Sequence, residues 1–150
     1  VLQLAERMPE VKFVLVGVTD TSGPFPPNVI ALGPIYDQPL LARYYTMADC
    51  FVICSEKENF PTTCLEAFCC GTPVAGFAAG GTAETVPAPY GSFVPYGELD
   101  SLQAAVERQL SAGFGSEVTA DAARRLYSPQ TMYRAYRTLY QELLEEKEEA

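Results

Sequence analysis

The sequence predicts an α/β fold, in which parallel strands form a sheet with helices on both of its faces. Three observations carry this. Short apolar runs of strand length recur along the chain, and segments with apolar residues at helical spacing alternate with them. Strands that alternate with helices need crossover connections, which leave neighbouring strands parallel. The chain has 150 residues, 48% hydrophobic and 19% charged, enough for one domain with a real core.

The elements follow in order. Leu2, Leu4 and Ala5 lead to Arg7 and a closing Met8-Pro9, the end of a helix. KFVLVGV (12–18) is a continuous apolar run of the kind buried on both faces of a parallel sheet. A Pro- and Gly-rich loop leads to a second strand, VIALG (29–33). Leu40, Leu41, Tyr44, Tyr45 and Ala48 recur at helical spacing between Asp37 and Asp49, and CFVICS (50–55) returns to strand. A short helix spans about Thr63 to Cys70 with Gly71 as its stop, and PVAGF follows as strand. Gly80-Gly81-Thr82 opens a brief helix near Ala83 to Val86, and SFVPY (92–96) is the last strand. Beyond it the pattern is helical. Asp100 or Ser101 caps a helix through Leu110, and Ser128-Pro129 opens a long one. On that helix Met132, Tyr133, Tyr136, Leu139, Tyr140, Leu143 and Leu144 form one stripe, expected to pack on the sheet or against a further domain.

Charge and composition narrow the function. The net charge is −9, much of it in the tail QELLEEKEEA, which reads as a solvated helix end. No nucleic-acid partner is expected, because a phosphate backbone asks for clustered Lys and Arg that this sequence lacks. No apolar run approaches the roughly 20 residues that span a bilayer, and VLQLAERMPE does not resemble a secretion signal, so a soluble cytoplasmic chain is expected. Cys50, Cys54, Cys64, Cys69 and Cys70 lack metal-ligand spacing and read as small buried thiols. With no histidine, a Ser-His-Asp or Cys-His arrangement is excluded within the chain. Neither GxxxxGK[ST] nor GxGxxG occurs, nor a D-x-D pair to hold a metal with a diphosphate.

What stands out is SEKENFPTTCLEAFCCGTPVAG, which places Glu58 in the loop after a strand and Glu66 on the first turn of the following helix. Ligands of parallel sheets bind at the carboxyl ends of the strands, where both acids then lie. The helix start between them offers free N–H groups and a positive dipole end to an anion such as a phosphate. A carboxylate accepts two hydroxyl donors, as a sugar diol presents them. A sugar at each end of a diphosphate would use this arrangement. Helix capping is the competing reading: Thr63 to Glu66 fits a capping box, as does Ser55 to Glu58, and the local pattern alone favours it for Glu66. Gly80-Gly81 is either a turn or a place where the backbone approaches a ligand.

The run from Glu58 to Glu66, followed by Ala67-Phe68-Cys69-Cys70-Gly71-Thr72-Pro73-Val74 and Gly80-Gly81-Thr82-Ala83-Glu84, resembles the E-x7-E signature of retaining glycosyltransferases of GT-B fold, family 4 type. The resemblance covers nearly the whole chain. It implies a Rossmann-like nucleotide-sugar donor-binding domain across residues 1–150, lacking its first strand, with the N-terminal acceptor domain absent and no transfer by this part alone. Glu66 would hold the ribose hydroxyls, and Glu58, with Asn59 and Phe60, the hydroxyls of the transferred sugar; Glu58 thus takes the catalytic assignment. Thr62 and Thr63 would face the diphosphate, and Gly33, Pro34 and Ile35 would border the base. The donor, a UDP- or GDP-sugar, is a substrate; no cofactor or metal is implied, and the acceptor is open. An Arg and Lys pair that the family brings to the diphosphate, from just before the first helix, is not in this sequence.

Two other readings stay open: a nucleotide-sugar epimerase or hydrolase of the same architecture, and a non-catalytic nucleotide-binding module. Arg124, Arg125, Arg134 and Arg137 offer a basic face for peripheral contact with a membrane.

Overall fold

The computed structural model describes residues 1–148. Five strands are present, β1 (Phe13–Val16), β2 (Val29–Leu32), β3 (Phe51–Ile53), β4 (Val74–Phe77) and β5 (Gly91–Val94). Six helices accompany them: α1 (Leu2–Arg7), α2 (Gln38–Met47), α3 (Thr62–Cys69), α4 (Leu99–Ala112), α5 (Ser116–Tyr127) and α6 (Pro129–Glu148). A 3₁₀ turn, Gly80–Glu84, begins at the glycine pair rather than at Ala83. Every strand pairing is parallel, as the alternation of elements requires.

The strands form two hydrogen-bonded groups, β1-β2 and β3-β4-β5, so β1 and β3 are each paired on one side only. One apolar core nevertheless crosses this break. Leu4, Ala5 and Met8 of α1 and its end, Phe13 of β1, Ala75 and Phe77 of β4, and Leu102, Ala105 and Val106 of α4 form a single buried cluster. A second cluster joins Ile53 of β3 and Val74 of β4 to Cys64, Ala67 and Phe68 of α3 and to Ala122 and Ala123 of α5. Successive strand residues point to opposite faces, so β4, buried at all four positions, serves both clusters. That places α1 and α4 against one face and α3 and α5 against the other.

The run KFVLVGV departs from its expectation. Phe13 is buried, whereas Val14 and Val16 are exposed, as is Ile30 of β2. One face of the β1-β2 pair is therefore uncovered, because α2 buries no residue completely and packs beside α3 instead. Periodicity shows a strand here but not what stands over it.

Asn28, just before β2, joins the two ends of this half. Its side-chain amide donates to the carbonyls of Ala5, Met8 and Val11 at 2.9, 3.0 and 2.9 Å, tying the end of α1 to the start of β2; the Ala5 and Met8 carbonyls also accept from the Met8 and Val11 amides. At the start of α2 the Asp37 carboxylate accepts from the Leu40 amide at 2.8 Å, as an N-cap should. The cap of α4 differs from the expected one. Glu98 holds the N-cap place and no side chain caps the helix; Ser101 donates to the Glu98 carboxylate at 2.8 Å, and Asp100 pairs with Arg7. The helix runs to Ala112, two residues beyond Leu110.

At the start of α6 the Ser128 hydroxyl accepts from the Thr131 amide at 3.1 Å, so Ser128-Pro129 opens it as expected. Its stripe does not pack on the sheet: Met132, Tyr133, Tyr136, Leu139, Tyr140, Leu143 and Leu144 are all exposed. In the acidic tail, Glu142 and Glu145 are exposed, while Glu149 and Ala150 lie outside the described residues. The cysteines also differ from expectation. Cys64 is buried, Cys50, Cys54 and Cys70 are half-buried, and Cys69 is exposed because it sits on the outer side of the last turn of α3.

Candidate functional site

The loop from Cys54 to Pro61 leaves the carboxyl end of β3 and enters α3. Glu58 is half-buried in it, while Asn59 and Phe60 are exposed. The loop is held from the side by the 3₁₀ turn. The Gly81 amide donates to the Asn59 carbonyl at 3.0 Å. A Cβ on Gly80 would meet the Glu58 carbonyl oxygen at 1.8 Å, and one on Gly81 would meet the Asn59 carbonyl oxygen at 2.1 Å. Gly80 also has φ +55°, which an L side chain rarely adopts. The glycine pair is thus explained by a close approach to protein backbone, the loop that carries Glu58.

The helix start is bare. Pro61 takes the N-cap position with φ −67° and ψ 112° and offers no side-chain acceptor. The Cys64 amide turns back to the Pro61 carbonyl at 3.2 Å, and among the described residues the Thr62 and Thr63 amides have no hydrogen-bond partner. Both threonines are exposed. Two N–H groups and the positive end of the α3 dipole therefore face outward beside Glu58.

Neither expected capping box forms. No helix begins at Ser55, and Thr63, inside α3, is not its cap. With the helix opening at Thr62, Glu66 lies in the second turn rather than the first. Its carboxylate turns away from the α3 backbone and accepts from the Tyr45 hydroxyl of α2 at 3.0 Å. Burial, and then the nearby Glu66 carboxylate, push the Tyr45 hydroxyl pKa well above its usual range, so it stays a donor. The Thr72 hydroxyl reaches the Tyr45 carbonyl at 2.5 Å, and the Tyr45 ring meets Phe51 of β3 edge-on, centroids 5.6 Å apart.

Gly33, Pro34 and Ile35 follow β2. The Gly33 carbonyl accepts from the Gly17 amide at 3.3 Å, pinning the segment to the end of β1, and Pro34 is exposed. Among the described residues no hydrogen bond joins these three to either acid; α2, which starts just after them, connects them to Glu66 through Tyr45. The structure therefore brings Glu58, Asn59 and Phe60 together with Gly80, Gly81 and the α3 start, sets Glu66 one turn along, and leaves Gly33 to Ile35 on the neighbouring half of the sheet. Tyr45 was not singled out from the sequence as a site residue, since Tyr44 and Tyr45 share the helical stripe and nothing local separates them.

Among the described residues no group of three or more His, Cys, Asp or Glu side chains is placed to hold a metal ion, and no helix is long and apolar enough to cross a membrane. The four arginines do not form one free patch: Arg124 pairs with Asp121 on its own helix, while Arg134 and Arg137 border a shallow groove with Pro129, Gln130 and Tyr133.

The chain is similar to known proteins in sequence and in fold. Residues 2–126 match the family model described as glycosyl transferases group 1. A D-inositol 3-phosphate glycosyltransferase of Thermobispora bispora is 42% identical over 59 residues, which cover 39% of this chain and 14% of that protein. D-inositol 3-phosphate glycosyltransferase 2 of Catenulispora acidiphila is 34% identical over 111 residues, 61% of this chain and 26% of that protein. The solved structure of sucrose-phosphate synthase from Thermosynechococcus elongatus superposes with a TM-score of 0.75 at 26% identity, over 95% of this chain and 41% of its own. The matched part is thus about a quarter or less of these two curated relatives' length. With the family match running from Leu2 to Leu126 and the fold shared across nearly the whole chain, this chain belongs to the glycosyl transferases group 1 family, of GT-B type.

Proposed function

We propose that the chain is the donor-binding domain of a retaining glycosyltransferase, which takes a sugar from a UDP- or GDP-sugar and passes it to an acceptor held by another part of the whole protein. One observation carries this reading: two carboxylates, Glu58 and Glu66, flank a helix start whose Thr62 and Thr63 amides are unpartnered among the described residues. The amides and the α3 dipole suit the diphosphate. An acid in contact with that anion would repel it, so the carboxylates suit the hydroxyl-bearing groups on either side. Glu66 takes the ribose diol, while Glu58, with the Asn59 and Phe60 backbone, takes hydroxyls of the sugar. Gly33, Pro34 and Ile35 border the base.

In the reaction the bond from the anomeric carbon to the diphosphate oxygen breaks, and the acceptor oxygen bonds that carbon on the same face. The acceptor's proton passes to the departing diphosphate. Positive charge develops on the sugar ring as the bond breaks, so a carboxylate bonded to sugar hydroxyls contributes more in the transition state than before it. The diphosphate charge is met by backbone dipoles, and no metal takes part. The whole protein would work in the cytoplasm, with Arg134 and Arg137 of α6 supplying the electrostatic part of a peripheral membrane contact.

The test follows the anomeric proton by NMR while the whole protein consumes a UDP- or GDP-linked sugar with α configuration. An α product, whether glycoside or slowly formed free sugar, is expected. A β product contradicts the retaining reading, and an unreactive donor contradicts the donor assignment.

A further inference from the structure

We infer that Tyr45 is a positioning residue for the donor nucleotide, its hydroxyl holding the Glu66 carboxylate in the orientation that receives the ribose diol. This rests on the assignment of Glu66 to the ribose and adds to it the group that makes Glu66 ready.

Glu66 stands exposed on the second turn of α3, where a glutamate left to itself samples many rotamers and loses that freedom when it binds. Among the described residues the Tyr45 hydroxyl is its one side-chain partner, at 3.0 Å to Oε2. Tyr45 is itself anchored. Its ring meets Phe51 of β3 at an interplanar angle of 72°, and its carbonyl accepts from both the Thr72 hydroxyl and the Ala48 amide. The Thr46 hydroxyl, next along α2, reaches the Cys70 carbonyl at 3.4 Å, so the joint between α2 and α3 does not depend on the Tyr45 hydroxyl alone.

The donor count also suits the role. An ionised carboxylate has about four acceptor positions, and the tyrosine uses one of them on Oε2. Both positions on Oε1 and the second on Oε2 stay open, enough for the two hydroxyls of a ribose. A bond that held α2 to α3 and did nothing more would not need its acceptor on the residue that faces the ligand.

Calorimetry on the whole protein distinguishes these roles, using UDP, GDP and ADP, each beside its 2′-deoxy counterpart. The variants are Tyr45→Phe, which removes only the hydroxyl, and Glu66→Ala. The parent is expected to prefer the ribonucleotide that binds best, Glu66→Ala to erase that preference, and Tyr45→Phe to reduce it by about three- to tenfold, the size of one partly solvated charged hydrogen bond. The thermal midpoint of Tyr45→Phe should stay at that of the parent. If Glu66→Ala erases the preference and Tyr45→Phe leaves it intact, the positioning role is overturned while the Glu66 assignment stands. If Tyr45→Phe weakens ribo and deoxy forms equally and lowers the midpoint, the bond only holds two helices together and the inference is overturned. If no nucleotide binds, or the preference is missing from the parent or survives in Glu66→Ala, the Glu66 assignment itself fails, and the inference with it.

Discussion

The Gly81 amide donates to the Asn59 carbonyl at 3.0 Å, and the space on its Cα is already taken: a Cβ there would stand 2.1 Å from the same carbonyl oxygen. The loop that bears Glu58 is thus shaped by a turn more than 20 residues further on. Gly81→Ala should push that loop away and destabilise the fold by about 1–3 kcal/mol, as overpacking does. Urea unfolding checks the stability loss, and a sugar-transfer assay on the whole protein should show activity falling further than stability accounts for. An unchanged loop function would mean that the glycine pair only fills a turn.

Glu58→Ala and Glu66→Ala should differ in kind. Loss of Glu58, whose expected contacts are to the reacting sugar, should lower kcat by about 10²-fold or more with nucleotide affinity nearly retained. Loss of Glu66, on the ribose, should raise KM and weaken UDP or GDP binding. Steady-state kinetics together with nucleotide titration separates the two, and identical profiles would contradict the division of labour.

Asn28 joins three carbonyls across the end of α1, a contact far from the acids. Asn28→Ala should cost about 1–3 kcal/mol, because it removes the tie across the end of α1 and leaves the Val11 carbonyl without a donor among the described residues, while the Ala5 and Met8 carbonyls keep the Met8 and Val11 amides. Donor affinity in the whole protein should stay near that of the parent. Chemical denaturation measures the first and calorimetry the second.

The thiols supply a pH dependence. Burial pushes Cys64 from 9.0 up to about 11 and Cys50 from 9.0 up to about 12. The fold therefore holds protons that the unfolded chain releases above pH 9. Stability from these groups is complete below that pH and is lost as pH rises through about 11 and 12. Urea midpoints at pH 8 and pH 10.5 should show the loss, and Cys50→Ala or Cys64→Ala should lessen the drop. In mild alkylation exposed Cys69 should react first and buried Cys64 last, as peptide mapping by mass spectrometry would report.

Much of the fold was legible because parallel strands write themselves as short apolar runs. All five were found, with ends that spread one or two residues too far where strand gives way to loop, as at Gly17 and Ser55. What local pattern could not carry was the identity of a covering surface. The Val14–Val16 face read as packed and is exposed, and the α6 stripe, read as packing on the sheet or against a further domain, does not pack on the sheet, since an apolar period records a tendency to be buried and not the partner that does it. The cap of α3 failed for a related reason. The pattern Thr63 to Glu66 makes a capping box only with Thr63 as the N-cap, and the observed N-cap, Pro61, lies two residues earlier. The acids themselves were visible in sequence. Their partners were not, because Tyr45 stands 21 residues from Glu66 and the glycine pair meets Glu58 through the backbone.

Titration of the whole protein with UDP, GDP and ADP, in parent and Glu66→Ala forms, tests the central claim most directly. The account predicts saturable binding of at least one of them by the parent and an affinity at least about tenfold lower in the variant, the loss of a charged hydrogen-bond acceptor. Binding of none of the three, or equal affinity in both proteins, would contradict it.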